Sequence, residues 1–123
     1  MMTNKAIALQ FLDLVTKGHI DEAYERYVDM EGKHHNTFYP AGFPVLQKGM
    51  EENHLQFPNK QFTVKHALAD GDMVVSHSHL AFNEGEAGMV VVHIFRFVNG
   101  KIVELWDCGQ AIPSEMPNTD GVF

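Results

Sequence analysis

His93-Ile94-Phe95-Arg96-Phe97-Val98-Asn99-Gly100-Lys101-Ile102-Val103-Glu104-Leu105-Trp106-Asp107 joins two β-rich runs through Asn-Gly, the strongest short-range signal for a β-hairpin. A type I′ turn centred on Asn99 and Gly100 pairs Val98 with Lys101. Counting back sets Phe97 opposite Ile102, Phe95 opposite Glu104 and His93 opposite Trp106. One face then reads His93, Phe95, Glu104, Trp106, a histidine and a carboxylate among large aromatics. Buried polar groups left unpaired cost about 1–3 kcal/mol each, so such a face is either a functional cavity or an awkward core. The other face carries Ile94, Arg96, Val103, Leu105 and Asp107, and its mixed character suits an interface.

Working outward, 123 residues are enough for one domain, 1–123, that buries about two thirds of its unfolded surface without staples. Cys108 is the only cysteine and has no partner within the chain for a bridge. The start, Met1-Met2-Thr3-Asn4-Lys5, leads into charged amphipathic sequence, so a cytoplasmic location is expected. A net charge of −7 repels phosphate backbones and anionic lipid, and the nine basic residues form no stripe, which argues against nucleic acid and membrane partners. The most apolar run, Met89-Val90-Val91-Val92, is far short of the ~20 residues a membrane helix needs.

Residues 4–17 place Ile7, Phe11, Leu14 and Val15 on one helical stripe, with Thr3 or Asn4 as N-cap and Gly18 past the end. Asp21 is positioned to cap a shorter helix carrying Ala23, Tyr24, Tyr27 and Val28, which breaks at Glu31-Gly32. Pro44 opens a third helix that runs to about Phe57, with Leu46, Met50, His54 and Phe57 along one side. From Gln61 the period changes to two. β-rich runs near 61–69, 72–82, 88–98 and 101–110 are separated by turn sequences, so an antiparallel meander is expected after the helices. Helices followed by a meander define an α+β domain with the helices on one face of a curved sheet. The tail 109–123 reads as irregular but docked by Phe123.

Four segments in this order resemble the SnoaL-like group of the nuclear transport factor 2-like superfamily: His34-His35-Asn36, Asp70-Gly71-Asp72-Met73-Val74-Val75-Ser76-His77, His93-Ile94-Phe95-Arg96-Phe97, and Gly100-Lys101-Ile102-Val103-Glu104-Leu105-Trp106-Asp107. The resemblance covers nearly the whole chain. It implies a cone, a strongly bent, mainly antiparallel sheet wrapped around helices with a pocket inside, usually in a homodimer formed through the sheet. The superfamily contains isomerases, cyclases, dehydratases, epoxide hydrolases and binding proteins, so the fold alone does not select a chemistry. In the polyketide cyclases that this group resembles, the acid/base aspartate lies four residues after the tryptophan, where this chain has Gln110. That departure argues against aldol cyclisation. In the related ketosteroid isomerases, the segment resembling His93-Ile94-Phe95-Arg96-Phe97 begins with a protonated aspartate that steadies an oxyanion; here the position is His93.

Eight histidines are a surplus, and five fall in three patterns: His34-His35, His77-x-His79 and His93. His77 and His79 share a strand face, a workable spacing for two imidazoles at one divalent metal, with His93 or His35 as a third ligand; half-exposed strand histidines are the competing reading. For His93, desolvation beside Phe95 and Trp106 favours a neutral ring. With Glu104 or a histidine as base and His93 as donor, proton transfer next to a carbonyl is the expected chemistry. The competing reading of Glu104 is a salt bridge to Arg96 or a helix. His35 and Asn36 leave the second helix beneath the cone opening, where either could meet a ligand oxygen, and Asn36 also suits a turn.

The sequence therefore predicts a cofactor-independent acid/base enzyme of isomerase, dehydratase or cyclase type, acting on a small, partly apolar carbonyl or hydroxy compound. The alternatives are a non-catalytic metabolite binder and a histidine-metal enzyme. Expected catalytic groups are His93, Glu104 and His35. Trp106, Phe95, Tyr24, Tyr27, Phe38, Met50, His54, His77, His79 and Gln110 are expected to line the pocket. Asp107 is expected at a dimer contact or in solvent, and Cys108 as a small hydrophobe on the tryptophan's face.

Overall fold

The computed structural model describes residues 2–123. Two helices come first, α1 (Asn4–Thr16) and α2 (Ile20–Tyr27), then strand β1 (Val28–His34) and helix α3 (Phe43–Gln56). Strands β2 (Gln61–Asp70), β3 (Met73–Ala81), β4 (Met89–Val98) and β5 (Lys101–Ala111) complete the chain. Thr3 caps α1 through a 3.1 Å bond accepted from the Ala6 amide, and Gly18 takes the left-handed turn beyond its end. His19, not Asp21, occupies the cap position of α2, with no side-chain bond there. Pro44 stands in the first turn of α3, where its missing N–H costs no helical bond.

The five strands form one mixed sheet in the order β1-β5-β4-β3-β2. The meander of β2 to β5 follows the sequence expectation. β1 does not: the segment after α2 continues straight into a strand that runs parallel to β5. Glu31-Gly32 is therefore inside β1, not a break before a loop. Gly32 is required there because a Cβ would collide with the carbonyl oxygen of Val103 on β5.

The hairpin turn is type I′, with Asn99 at φ 51° and Gly100 at φ 76°. Val98 faces Lys101 and Phe97 faces Ile102, as counted from the sequence. Beyond that the expected register fails by one residue. Val103 is a β-bulge, so Arg96 faces Glu104, Phe95 faces Leu105, Ile94 faces Trp106 and His93 faces Asp107. One extra residue exchanges the faces of everything that follows it on β5. Glu104 and Trp106 leave the His93 face, while Leu105 and Asp107 join it.

The helices cover only one face of the sheet, α1 against β2 and β3, α2 against β1 and β5, α3 against β1. On this inner face Phe11, Tyr24, Phe43, Val74, Phe95, Phe97, Ile102 and Leu105 form the buried core. Phe11 meets Tyr24 and Phe95 edge to face, with ring centroids 5.3 and 6.3 Å apart. The outer face carries Val75, His77, Ile94, Arg96, Glu104 and Trp106, and among the described residues no helix packs over it. Among the described residues, no helix is long and apolar enough to cross a membrane.

Candidate active site on the inner face of the sheet

The alternation of β3, β4 and β5 places Ser76, Ser78, His93 and Asp107 together on the inner face. Ser76 pairs with His93 across β3 and β4, and His93 pairs with Asp107 across β4 and β5. Phe62 packs its ring edge against the imidazole at a centroid distance of 5.9 Å, and Phe95 lies nearly parallel to it at 5.9 Å. His93 keeps partial exposure, but its Nδ1 is sealed and has no hydrogen-bond partner among the described residues. Burial pushes its pKa down to about 4, against the opposing pull of Asp107, so the ring is neutral at physiological pH.

Asp107 is held from β1's exit. Asn36 Nδ2 donates to its Oδ2 at 2.7 Å, while Asn36 Oδ1 accepts from the Phe38 amide at 2.8 Å. The Asn36 amide in turn donates to His34 Nδ1 at 3.1 Å, which leaves His34 Nε2 to donate to the Pro40 carbonyl at 2.8 Å. His34 is thus a buried turn-builder. Tyr24 stands behind the carboxylate: burial first, then Asp107 and Tyr39, raise its phenol well above the ordinary value, so it stays protonated. The arrangement presents a fixed carboxylate, a neutral imidazole and two hydroxyls to one region of the cone interior.

A second polar group occupies the outer face. His35 Nε2 contacts Glu104 Oε2 at 2.6 Å, and Arg96 donates from Nε and Nη2 to Glu104 Oε1 at 3.1 and 3.0 Å. Trp106 lies almost parallel to the His35 ring, 5.0 Å between centroids. The Glu104 carboxyl is held below its ordinary pKa by the His35 bond first, with Arg96 and Lys33 assisting. Glu104 is therefore the Arg96 ion pair that the sequence offered as the competing reading. The expected trio is divided by the sheet: His93 is inside, and Glu104 with His35 is outside, because of the bulge at Val103.

The remaining expectations separate in the same way. Tyr24, Tyr27 and Phe95 are buried in the core, and Met50 packs against it. His54 sits beneath Gly18, its Nδ1 sealed and without a hydrogen-bond partner among the described residues. Phe38 is 87% exposed and lines nothing, since the turn anchored by Asn36 Oδ1 directs it outward. Gln110 is exposed and shares the outer parity of Trp106, so it does not meet His93. Asp107, expected at a contact or in solvent, is instead the inner-face carboxylate. Cys108 is exposed on the tryptophan's face.

His77 and His79 point outward, opposite to His93, so these three do not converge. His77 Nδ1 instead meets His66 Nδ1 at 3.0 Å with the ring planes 13° apart, one nitrogen donating and the other accepting. His79 Nε2 donates to the Ala87 carbonyl at 2.7 Å. Phe123 packs on both histidines, with Lys65 Nζ over its ring, so the tail is docked as expected. Among the described residues, no three His, Cys, Asp or Glu side chains are grouped to hold a metal ion. Ser76 and Ser78 are not among the site residues expected from the sequence, although their i, i+2 spacing on a strand places both on one face.

The family model for SnoaL-like polyketide cyclases matches residues 5–115, and the chain belongs to that family. Solved structures share its nuclear transport factor 2-like fold. A SnoaL-like polyketide cyclase from Agrobacterium tumefaciens superposes with a TM-score of 0.73 at 16% identity, covering 89% of this chain and 93% of that one. A candidate ketosteroid isomerase from Kribbella flavida gives 0.73 at 19% identity over 94% and 83%. AclR, a candidate hydroxylase from Streptomyces galilaeus, gives 0.71 at 22% identity over 87% and 88%. No curated protein matches the sequence.

Proposed function

We propose that the inner-face group catalyses proton transfer on a small, partly apolar carbonyl or hydroxy compound, using the chain's own side chains. Asp107 is the base, oriented by Asn36, and it removes a proton from the carbon next to the carbonyl. Neutral His93 donates a hydrogen bond to the oxygen on which negative charge develops, and a neutral donor does this without first neutralising the base. Tyr24 remains a protonated phenol behind the carboxylate. The observation that carries this reading is the placement of Asp107 directly across from His93 on the helix-covered face, a placement created by the Val103 bulge. An α-proton transfer of this kind is the step shared by isomerisation and dehydration, and the neighbouring structures called isomerase and cyclase use the same fold.

The test is deuterium exchange into the α-positions of cyclohexanone in D2O, followed by proton NMR. The intact protein should accelerate exchange, and Asp107→Asn and His93→Gln should each lose roughly 100-fold or more. Binding without accelerated exchange would replace this reading with that of a metabolite-binding protein.

The reading extends to assembly. The outer face presents Val75, Ile94 and Trp106 around the shielded Glu104 with no helix over them, which suits a second copy of this chain in a cytoplasmic homodimer of one-domain subunits. Sedimentation velocity should give twice the mass of 13.9 kDa.

A further inference from the structure

The least economical feature of the core is a pair of serines. Ser76 and Ser78 lie on β3 with no exposure, and neither hydroxyl has a hydrogen-bond partner among the described residues. Both project from the inner face, Ser76 across from His93, and Ser78 between Val64 on β2 and Val91 on β4. A hydroxyl removed from water without a replacement bond destabilises the fold, and alanine would fill either position at lower cost in free energy. Serine is also a weaker strand former than the valines around it. Neither packing nor strand propensity accounts for two such residues in succession on one face.

We propose that Ser76 and Ser78 form the second-oxygen site of the ligand. This rests on the inner-face reading given above and names its substrate class. The ligand carries two oxygen functions on a compact apolar frame, as a β-hydroxy ketone does. One oxygen takes the hydrogen bond from His93, and the other is met by the serine hydroxyls, which both donate and accept. Val64, Val91 and Phe62 supply the apolar wall between them. An open groove of about 350 Å³ between α1 and β2, lined by Leu12, Phe62 and Val64 among others, reaches the same wall from outside. Phe62 therefore stands between that groove and His93, on the path by which such a ligand enters.

Two measurements on the full chain test the assignment. The first is thermal unfolding without ligand. Ser76→Ala/Ser78→Ala should melt at the same temperature as the parent or higher, because the substitution removes unpaired buried hydroxyls. A clear fall in melting temperature would mean that the hydroxyls are structural and would overturn the proposal.

The second compares cyclohexanone with 3-hydroxycyclohexanone, titrated against the protein with the His93 ring resonances as reporter. The parent should prefer the hydroxylated ring by about tenfold, and the double variant should bind the two rings equally. Cyclohexanone binding with no hydroxyl preference, or a preference that survives in the double variant, would overturn the serine site alone. Failure of both rings to perturb His93 would remove the inner-face reading and the serine site with it.

Discussion

His93 shows how the burial of a single side chain makes stability depend on pH. Its folded pKa of about 4 lies below the ordinary histidine value of 6.5, because burial penalises the imidazolium more than Asp107 favours it. Between those two values the unfolded chain binds the proton and the folded chain does not, so stability is full above pH 6.5 and falls as the pH drops towards 4. Urea titrations at pH 7.5 and 4.5 should show His93→Gln losing on the order of 2–3 kcal/mol less than the parent over this interval. Glu104 acts in a lower window. Its folded pKa is depressed, so its contribution is present above 4.5 and disappears as the pH falls through the folded value. Glu104→Gln should lower the melting temperature at pH 7, since Arg96 loses its charged partner, and leave ketone exchange intact because the side chain is on the outer face. Loss of exchange in that variant would return Glu104 to the chemistry.

At the scale of elements, the sequence made the turn, the two long helices and four strands legible because each depends on local signals. Asn-Gly, Thr3, Gly18 and Pro44 all act within a few residues of themselves. What was not legible depends on contacts distant in sequence. β1 follows α2 without an intervening turn and contains Gly32, so nothing local separates it from a loop; its partner is Val103, some seventy residues later. The bulge has the same origin, and Val103 differs in no visible way from Ile102. On β5 the mismatch follows from that one residue: it turns Glu104 and Trp106 outward and Asp107 inward. Gly32→Ala tests the close approach directly. The added methyl meets the Val103 carbonyl, and a loss of roughly 1–3 kcal/mol in chemical denaturation is expected, as for other overpacked sites. A neutral result would mean that β1 can shift away from the bulge at no cost.

For the whole molecule, the sheet is a partition between two polar groups of different character. Inside, Asp107 is held by Asn36, while His93 Nδ1 and the two serine hydroxyls have no hydrogen-bond partner among the described residues. Outside, Glu104 is fully engaged by His35 and Arg96, as a structural ion pair should be. The two systems are built from alternating residues of the same strands, so their composition is coupled through strand length. The bulge at Val103 therefore constrains how the gene can change. Loss or gain of one codon between Ile102 and Asp107 would turn the far half of β5 over, bringing Glu104 and Trp106 into the core and expelling Leu105 and Asp107. The exposed connection Asn83–Glu86 carries no such constraint and can vary in length. In descendants of this chain, insertions and deletions should accumulate there, and the seven residues from Lys101 to Asp107 should keep their count even where their identities drift.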